Sequence, residues 1–510
     1  MEKAAETCTL QGVPAYDKKG GRKMLNDWLK ELKYELVQGE LEIPVKEVVY
    51  DSRKAGEETV FVCMKGTNVD SHDFIPAVLA AGTKVLVVEH QVSDIPDDVT
   101  VLKVENGRNA LALLSAARFG YPAEKMVTIG VTGTKGKTTT TYMIKSILEA
   151  CGKKVGLIGT NGAVIGDKHY ATKNTTPESY ILEQYFDEMV KAGCEYMVME
   201  VSSQSYLMHR VDGLTFDYGL FLNISNDHIG PGEHESFEEY LYYKKQLLKH
   251  CKTAIVNEDD EHFDEIVKGA PSKIYTFSLE RPADFEASGL RYVTASDFVG
   301  LVFQMMGSYE LEVKVNVPGR FNAANALAAV AVCSFFELPK PKVSHGLEHL
   351  KIDGRMEIAY KSSKMTVIVD YAHNAVSMES LLRTLRDYKP KRLVCVFGCG
   401  GNRAKERRYS MGEIGGKLAD FCIITEDNSR YEDVQEILTD IKVGLSMTSG
   451  TYIEIPDRRK AIEFAVSHAR EGDMIAIIGK GHEDYQEIRG VRYPFLDRQV
   501  VQETVEKLGL

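Results

Sequence analysis

Met126-Val-Thr-Ile-Gly-Val-Thr-Gly-Thr-Lys-Gly-Lys-Thr138 decides how this chain folds. An apolar run from Met126 to Val131 stops abruptly at Gly133-Thr134-Lys135-Gly136-Lys137-Thr138, and a helix-compatible segment follows. The pattern is a strand turning into a helix through a glycine-rich loop. Glycines let such a loop curl until its backbone N–H groups face a phosphate chain, and the helix N-terminus adds partial positive charge. Lys137 can set an ammonium against the terminal phosphates, and Thr138 can offer a hydroxyl to Mg²⁺. Val131 stands where the usual GxxxxGK[ST] pattern has its first glycine. A glycine-flanked Lys-Thr in this setting still points to ATP.

Outward from this loop, helical segments alternate with the apolar runs KVGLIGT, EYMVMEVSS and YGLFLNIS. That order favours a largely parallel sheet with crossover helices. Upstream lie the short strands VKEVVYDSR, TVFVCMKG and KVLVVE, with a helix expected at DFIPAVLAAG on a face of Phe74, Val78 and Leu79. Gly120-Tyr-Pro122 ends a helical pattern and marks a linker. Downstream of Asp353-Gly354, the strands MTVIVDYAH, RLVCVFG, FCIIT and MIAIIGKG are again spaced by helices. Asp370, Gly398, Thr425 and Gly479 fall at carboxyl ends of strands, where open parallel sheets collect ligands. The expectation is three α/β domains, at residues 1–122, 123–351 and 352–510, with nucleotide chemistry in the middle one.

Composition narrows the class. A chain of 510 residues exceeds one typical core. It has no run of about 18 apolar residues, so no membrane-spanning helix is expected. The first residues, MEKAAETCTLQGVPAYDKKGGRK, lack the apolar core of a signal peptide. Nine cysteines without a CxxC pair argue for reduced thiols, and so for a cytoplasmic protein. A net charge of −12 speaks against a nucleic-acid surface.

Further groups suited to phosphate and metal chemistry follow the loop. Ser236 with Glu239 has the spacing of a capping box, so a helix should start there. Phe237, Tyr240, Leu241, Leu247 and Leu248 form its apolar stripe, and Lys244 lies on that stripe while Lys245 points about 100° away. A desolvated lysine has a lowered pKa, and its neutral amine captures CO₂ as a carbamate, an anionic oxygen ligand for Mg²⁺. The same segment also fits a lysine that reaches solvent along its stem. Glu200, ending the run YMVM, suits a Mg²⁺ carboxylate, and His228, after GLFLNISND, could reach the same edge. In the last block, Arg430 and Glu483 could hold the carboxylate and the ammonium of a zwitterion.

The segments GTKGKTTT, NTTP (174–177), EVSS (200–203), HRV (209–211), NDH (226–228), PGRFNAAN, GRME (354–357), DYAH and GCGGNR resemble, in this order, those of the Mur ligases. These are the ATP-dependent amino-acid ligases of peptidoglycan synthesis. The resemblance covers nearly the whole chain, from Asp51-Ser-Arg53 to Gly479-Lys-Gly-His-Glu-Asp-Tyr-Gln486. It implies an N-terminal UDP-sugar domain, a central P-loop-type ATPase domain and a C-terminal Rossmann-like domain that binds the amino acid. Within the family, the branch that adds the third stem-peptide residue is the nearest pattern. The implied reaction joins an amino acid, of which meso-diaminopimelate is the expected one, to UDP-MurNAc-L-Ala-D-Glu through an acyl phosphate.

Residue roles implied by the resemblance fall as follows. Gly133 to Thr139, with Lys137 and Thr138 foremost, would bind ATP, and Asn325, Arg355, Asp370 and His373 would contact adenine, ribose or phosphate. Thr138 and Glu200 would hold one Mg²⁺, and His228 with carbamoylated Lys244 a second. Ser52 would approach uracil, while Thr175, Thr176, Ser202 and Arg210 would hold the muramoyl peptide. Asp427, Asn428, Arg430, Gly479 and Glu483 would recognise the incoming amino acid. The expected partners are these small molecules alone, and the expected state is a monomer.

Departures from the family pattern are local. The amino-acid loop reads Asp-Asn-Ser-Arg where diaminopimelate enzymes typically have DNPR. Met208 replaces a usual Gln, Asn402 a usual Asp and Tyr409 a usual Pro. Asn-Ala-Val-Ser follows DYAH, and IGPGEHE follows His228. Three alternatives stay open: the same ligase using L-lysine or another amino acid, a folylpolyglutamate- or poly-γ-glutamate-type ligase, and a non-catalytic nucleotide-sugar-binding homologue.

Overall fold

The computed structural model describes residues 23–66, 69–226, 229–230, 233–295 and 298–510. His228 and nearly all of the N-terminal stretch without an apolar core therefore lie outside the described residues. The chain divides into two compact units. One comprises Met1–Asp284 with Ala328–Glu337, the other Phe285–Leu327 with Leu338–Leu510.

The first unit holds two sheets. The smaller has spatial order Glu35–Gln38, Thr100–Lys103, Val85–Val88, Thr59–Val62, Glu47–Val49, parallel except for its first strand. Helix Gly107–Phe119 is capped by Asn106 and ends at Gly120, whose φ of 75° lies in the left-handed region glycine favours. The DFIPAVLAAG segment departs from expectation. It begins as a 3₁₀ turn, Ser71–Phe74, and becomes α-helix only over Ile75–Ala80, where Pro76 sits in the first turn. The tighter 3₁₀ winding shifts the phase, so Ile75 and Val78 are buried while Phe74 is exposed.

The larger sheet runs Lys168–Tyr170, Gly162–Ile165, Val155–Gly159, Tyr196–Glu200, Val127–Thr132, Phe216–Phe221, Cys251–Asn257, Lys273–Ser278 within this unit. The last six strands are mutually parallel, as the alternating pattern requires, and the first two form an antiparallel extension. Strand Val127–Thr132 is almost wholly buried and lies between the strands ending at Glu200 and Phe221. The glycine-rich loop thus leaves the carboxyl edge at the centre of a parallel sheet.

In the second unit, Phe285–Thr294, Val299–Gly307 and Leu311–Val315 form an antiparallel meander. A six-stranded sheet follows, ordered Glu357–Lys361, Met365–Asp370, Asp473–Ile478, Arg392–Phe397, Phe421–Ile424, Tyr452–Glu454, with only the first strand antiparallel. All four strands expected here form, and Asp370, Gly398, Thr425 and Gly479 stand at or just past their carboxyl ends. Arg458 and Asp497, both fully buried, pair through two hydrogen bonds of 2.8 and 2.7 Å, and Arg458 also donates to the Ile478 carbonyl at 3.0 Å. Among the described residues no helix is long and apolar enough to cross a membrane, and the eight described cysteines are free thiols.

Candidate active site

Gly136, at φ 87°, caps helix Lys137–Ala150 in a conformation that side chains disfavour. The loop is then clasped by Asn223 from the neighbouring strand end. Thr134 N–H donates to the Asn223 carbonyl at 3.0 Å, Lys135 N–H donates to Asn223 Oδ1 at 2.9 Å, and Asn223 Nδ2 donates to the Lys135 carbonyl at 3.0 Å. Two loop N–H groups are therefore bound to Asn223 rather than facing a phosphate site, a correction to the simplest reading of the loop. The first-turn N–H groups of helix 137–150 are the donors that the fold aims outward there.

Lys137 Nζ donates to the carbonyls of Gly133 and Thr134, at 2.8 and 3.2 Å. Lys244 Nζ donates to the same Gly133 oxygen at 2.9 Å and lies 4.6 Å from the Tyr240 ring centroid. Helix Phe237–Lys244 starts at Ser236, whose Oγ accepts from Glu239 N–H. The reciprocal bond reaches Glu235 N–H instead of the cap residue's own. Tyr240, Leu241, Lys244, Leu247 and Leu248 are buried, so Lys244 does lie on the apolar face, at 2% exposure. It does not reach solvent along its stem. Tyr240 OH and Thr134 Oγ1, 3.1 Å apart, tie this helix to the loop.

Glu200 is the hub of the site. Its Oε1 accepts from Thr138 Oγ1 at 2.9 Å and from Thr160 N–H at 2.8 Å, and its Oε2 accepts from Thr160 Oγ1 at 3.1 Å. A Cβ on Gly159 would collide with this carboxylate, so glycine there makes the room. Thr160 Oγ1 lies 3.0 Å from Thr175 Oγ1. Thr176 Oγ1 donates to the Glu200 carbonyl at 2.9 Å and accepts from Ser202 N–H at 3.1 Å, and Arg210 Nη1 donates to the Thr176 carbonyl at 3.2 Å. Thr138, Glu200, Thr175, Thr176, Ser202 and Arg210 are thus one connected group. Ser52 opens a 3₁₀ turn capped by Asp51. Asp51, not Ser52, lines a cavity of about 730 Å³ bounded also by Tyr50, Lys54, Asn174, Pro177 and Tyr180.

In the second unit, Asp370 accepts from the N–H groups of Met356 and Ala372, both at 2.8 Å. Burial raises its pKa against the opposing pull of Arg355 and of these two bonds. Arg355 lies over the Tyr371 ring at 4.9 Å, and His373 sits against the same ring at 4.8 Å. Asn325 is buried on helix Arg320–Cys333 and donates to Asn322 Oδ1 at 3.0 Å.

The amino-acid candidates form a second connected group. Asn428 Nδ2 donates to Glu483 Oε2 at 2.9 Å. Fully buried Lys480 donates to Asn428 Oδ1 at 3.0 Å and to Glu483 Oε2 at 3.1 Å. Gly479, at φ 118°, leaves space that a Cβ would take from the Asp427 carboxylate. Arg430 is held differently: its Nη1 donates to the Gly401 carbonyl at 2.6 Å, and its Nε lies 3.9 Å from Glu487. Asn223, Thr160, Tyr240 and Lys480 hydrogen-bond the loop or the candidate residues, contacts that sequence reasoning did not anticipate. Lys480 left a signal as a lysine inside the Gly479-Lys-Gly-His motif, and Tyr240 as a member of the apolar stripe.

A phosphate loop on a parallel sheet, beside a buried carboxylate hub, marks a nucleotide-using enzyme of the α/β class. Comparison with known proteins narrows this. Residues 44–119 match the description "Mur ligase family, catalytic domain", residues 131–333 the Mur ligase middle domain, and residues 354–481 the Mur ligase glutamate ligase domain. The UDP-N-acetylmuramoyl-L-alanyl-D-glutamate–2,6-diaminopimelate ligase of Clostridium perfringens is 40% identical over 490 residues, covering 95% of this chain and 99% of its own. Ligase 1 of that name from Clostridium acetobutylicum is 39% identical over 481 residues, covering 94% and 98%. A solved structure of a ligase of the same name aligns with TM-score 0.74 at 27% identity, covering 96% of this chain and all of that one. The chain belongs to the Mur ligase family and has its three-domain α/β fold.

Proposed function

We propose that this protein is the ATP-dependent ligase that adds meso-diaminopimelate to UDP-MurNAc-L-Ala-D-Glu through an acyl phosphate. The single observation behind this reading is Glu200, whose carboxylate joins the phosphate-loop residue Thr138 to the Thr160–Thr175 pair, while its own carbonyl accepts from Thr176. Phosphate-handling and acceptor-handling segments meet there. The names of the full-length relatives supply the substrates.

In the first step the acceptor's terminal carboxylate attacks the γ-phosphate of ATP and ADP leaves. In the second, the amino group displaces phosphate through a tetrahedral intermediate. Lys137, bound to the Gly133 carbonyl, can turn its charge toward the transferring phosphoryl group. Arg210, Thr175, Thr176 and Ser202 orient the muramoyl peptide, and Ser52 with the adjoining cavity receives the nucleotide end. The oxygen-only pair of Thr138 and Glu200 suits Mg²⁺. These residues would hold one ion, with His228 and Lys244 for a second, and bound Mg²⁺ neutralises phosphate charge. For that second role Lys244 would be carbamoylated, its amine adding to CO₂ to form an N–C bond with loss of one proton. Its burial on an apolar face supports this. Asn325, Arg355, Asp370 and His373 would serve ATP. Glu483, Asn428, Asp427, Gly479 and Arg430 would read the amino acid, matching ammonium and carboxylate groups. The chain is read as three domains, residues 1–122, 123–351 and 352–510, and a cytoplasmic monomer is the expected form.

Phosphate release with ATP, Mg²⁺ and UDP-MurNAc-L-Ala-D-Glu tests the assignment against a panel of meso-diaminopimelate, L-lysine, L-ornithine and other amino acids. Turnover with diaminopimelate alone supports it. Turnover with lysine would move the specificity, and none with any pair would reject the acceptor.

A further inference from the structure

The first turn of helix Gly107–Phe119 reaches from the smaller sheet's domain to the segment around Arg210 by three separate side chains. Asn106 Oδ1 accepts from the N–H groups of Arg108 and Asn109, at 2.9 and 3.0 Å, as the helix cap. That fixes which end of its amide is nitrogen. Its Nδ2 therefore donates to His209 Nε2, 3.2 Å away, so the neutral His209 ring carries its proton on Nδ1. Nδ1 in turn donates to Asp212 Oδ2 at 2.7 Å. Asn109 Nδ2 donates to that same oxygen at 2.6 Å. Arg108 Nη1 stands 3.7 Å from Glu178 Oε2, and Arg210 Nε stands 3.9 Å from Glu178 Oε1 on the other side.

His209 needs this support. Its φ is 54°, a left-handed conformation that costs a non-glycine residue of order 1 kcal/mol or more. The strained turn delivers Arg210 N–H to the Ser205 carbonyl at 2.7 Å and its Nη1 to the Thr176 carbonyl. Arg210 Nε is buried without a hydrogen-bond partner. The guanidinium is held in place by the Thr176 carbonyl and Glu178.

We propose that Asn106, Arg108 and Asn109 form a clamp from the first domain that positions Arg210 for the anionic part of the acceptor, acting through His209–Asp212 and Glu178. The inference rests on the reading of Arg210 as an acceptor-binding residue. These are positioning residues, distinct from the groups that touch ATP, and the clamp makes acceptor affinity depend on contact between the two domains of the first unit.

The test is N109D, which sets a carboxylate against Asp212, and N109Q, which keeps an amide donor at that position. In N109D the KM for UDP-MurNAc-L-Ala-D-Glu should rise about tenfold, the weight of one hydrogen bond to a charged group, while kcat and the KM for ATP stay within about twofold. N109Q, which still offers a donor to Asp212, should keep most of that affinity. N109A, which only deletes the amide, must move the same KM in the same direction and guards against a misfolded N109D. Amide exchange over residues 205–212 in the free full-length protein gives a readout without any acceptor: faster in N109D, near the wild-type rate in N109Q. An unchanged KM, a fall of kcat with a rise of both KM values, or unchanged exchange would each overturn the clamp. If the wild type shows no turnover with the dipeptide, the acceptor assignment has failed, and the exchange experiment still judges the clamp.

Discussion

Lys137 and Lys244, 107 positions apart in the sequence, donate to one acceptor, the Gly133 carbonyl oxygen, at 2.8 and 2.9 Å. Two ammonium groups on one carbonyl concentrate positive charge at the loop's first bend. An anion brought to the loop is drawn by this charge. Lys137→Met should therefore lower kcat by roughly 10²–10³, in the range seen when one electrostatic stabiliser of a transition state is removed. Lys244→Ala should lower kcat to a similar extent by removing the carbamate, and added short carboxylates should restore part of its activity, whereas Lys137→Met should not respond. Phosphate release in the presence and absence of acetate or propionate reads both. Equal insensitivity of the two variants would remove the carbamate from the mechanism.

Gly159→Ala examines Glu200 without changing any charged or polar group. The added methyl would occupy the place of the Glu200 carboxylate, which must swing away from Thr138 and Thr160. The expected outcome is a fall in kcat of about tenfold or more with a higher Mg²⁺ requirement, while circular dichroism keeps the wild-type signature. A fully active Gly159→Ala would show that the position of Glu200 is not what the reaction needs.

Glu183, on helix Ser179–Lys191, is buried with Oε2 unpaired, and burial pushes its pKa up to about 8 from an ordinary 4.5. A carboxyl whose folded pKa is raised contributes stability that is complete below its unfolded value and is lost as pH rises through the folded one. Thermal stability of the wild type should accordingly decline between about pH 4.5 and pH 8. Glu183→Gln has no proton to lose, so its melting temperature should match the wild type near pH 5 and exceed it at pH 8. Parallel melting curves across this range would contradict the assignment of a buried neutral carboxyl.

What the sequence disclosed were features written in local order. The phosphate loop, the start at Ser236, the burial of Lys244 and the strand-end positions of Asp370 and Gly479 each follow from periodicity or a cap within a few residues. The helix carrying Lys244 nevertheless ends at that residue, and a separate turn, Gln246–Lys249, carries Leu247 and Leu248 inward. The Asn223 clasp on the loop, the Thr160 bonds to Glu200 and the Asn106–His209 contact span 40 to 103 positions. They come from how strand ends and domains pack, which no window of neighbouring residues encodes. Arg430 and Glu483 were expected to act on one zwitterion, but each is held by other groups, Arg430 by the Gly401 carbonyl and Glu483 by Asn428 and Lys480.

Lys480 is the sharpest probe of amino-acid recognition. Both Lys480 and Asn428 donate to Glu483 Oε2, which pins the carboxylate and leaves Oε1 as the oxygen to meet a substrate ammonium. Lys480→Met keeps an apolar stem of similar length in the buried site but removes one of the two pins and the donor to Asn428 Oδ1. Glu483 can then rotate, and its pairing with the substrate ammonium loses both direction and preorganisation. The KM for diaminopimelate should rise about tenfold, equivalent to one hydrogen bond to a charged group, while the KM values for ATP and the dipeptide acceptor stay within about twofold. Lys480→Arg should be nearly as damaging, because a planar fork does not reproduce a compact ammonium between two acceptors. Initial rates with each of the three substrates varied in turn separate these cases. A uniform fall across all three would make Lys480 a support of the fold rather than of the amino-acid site.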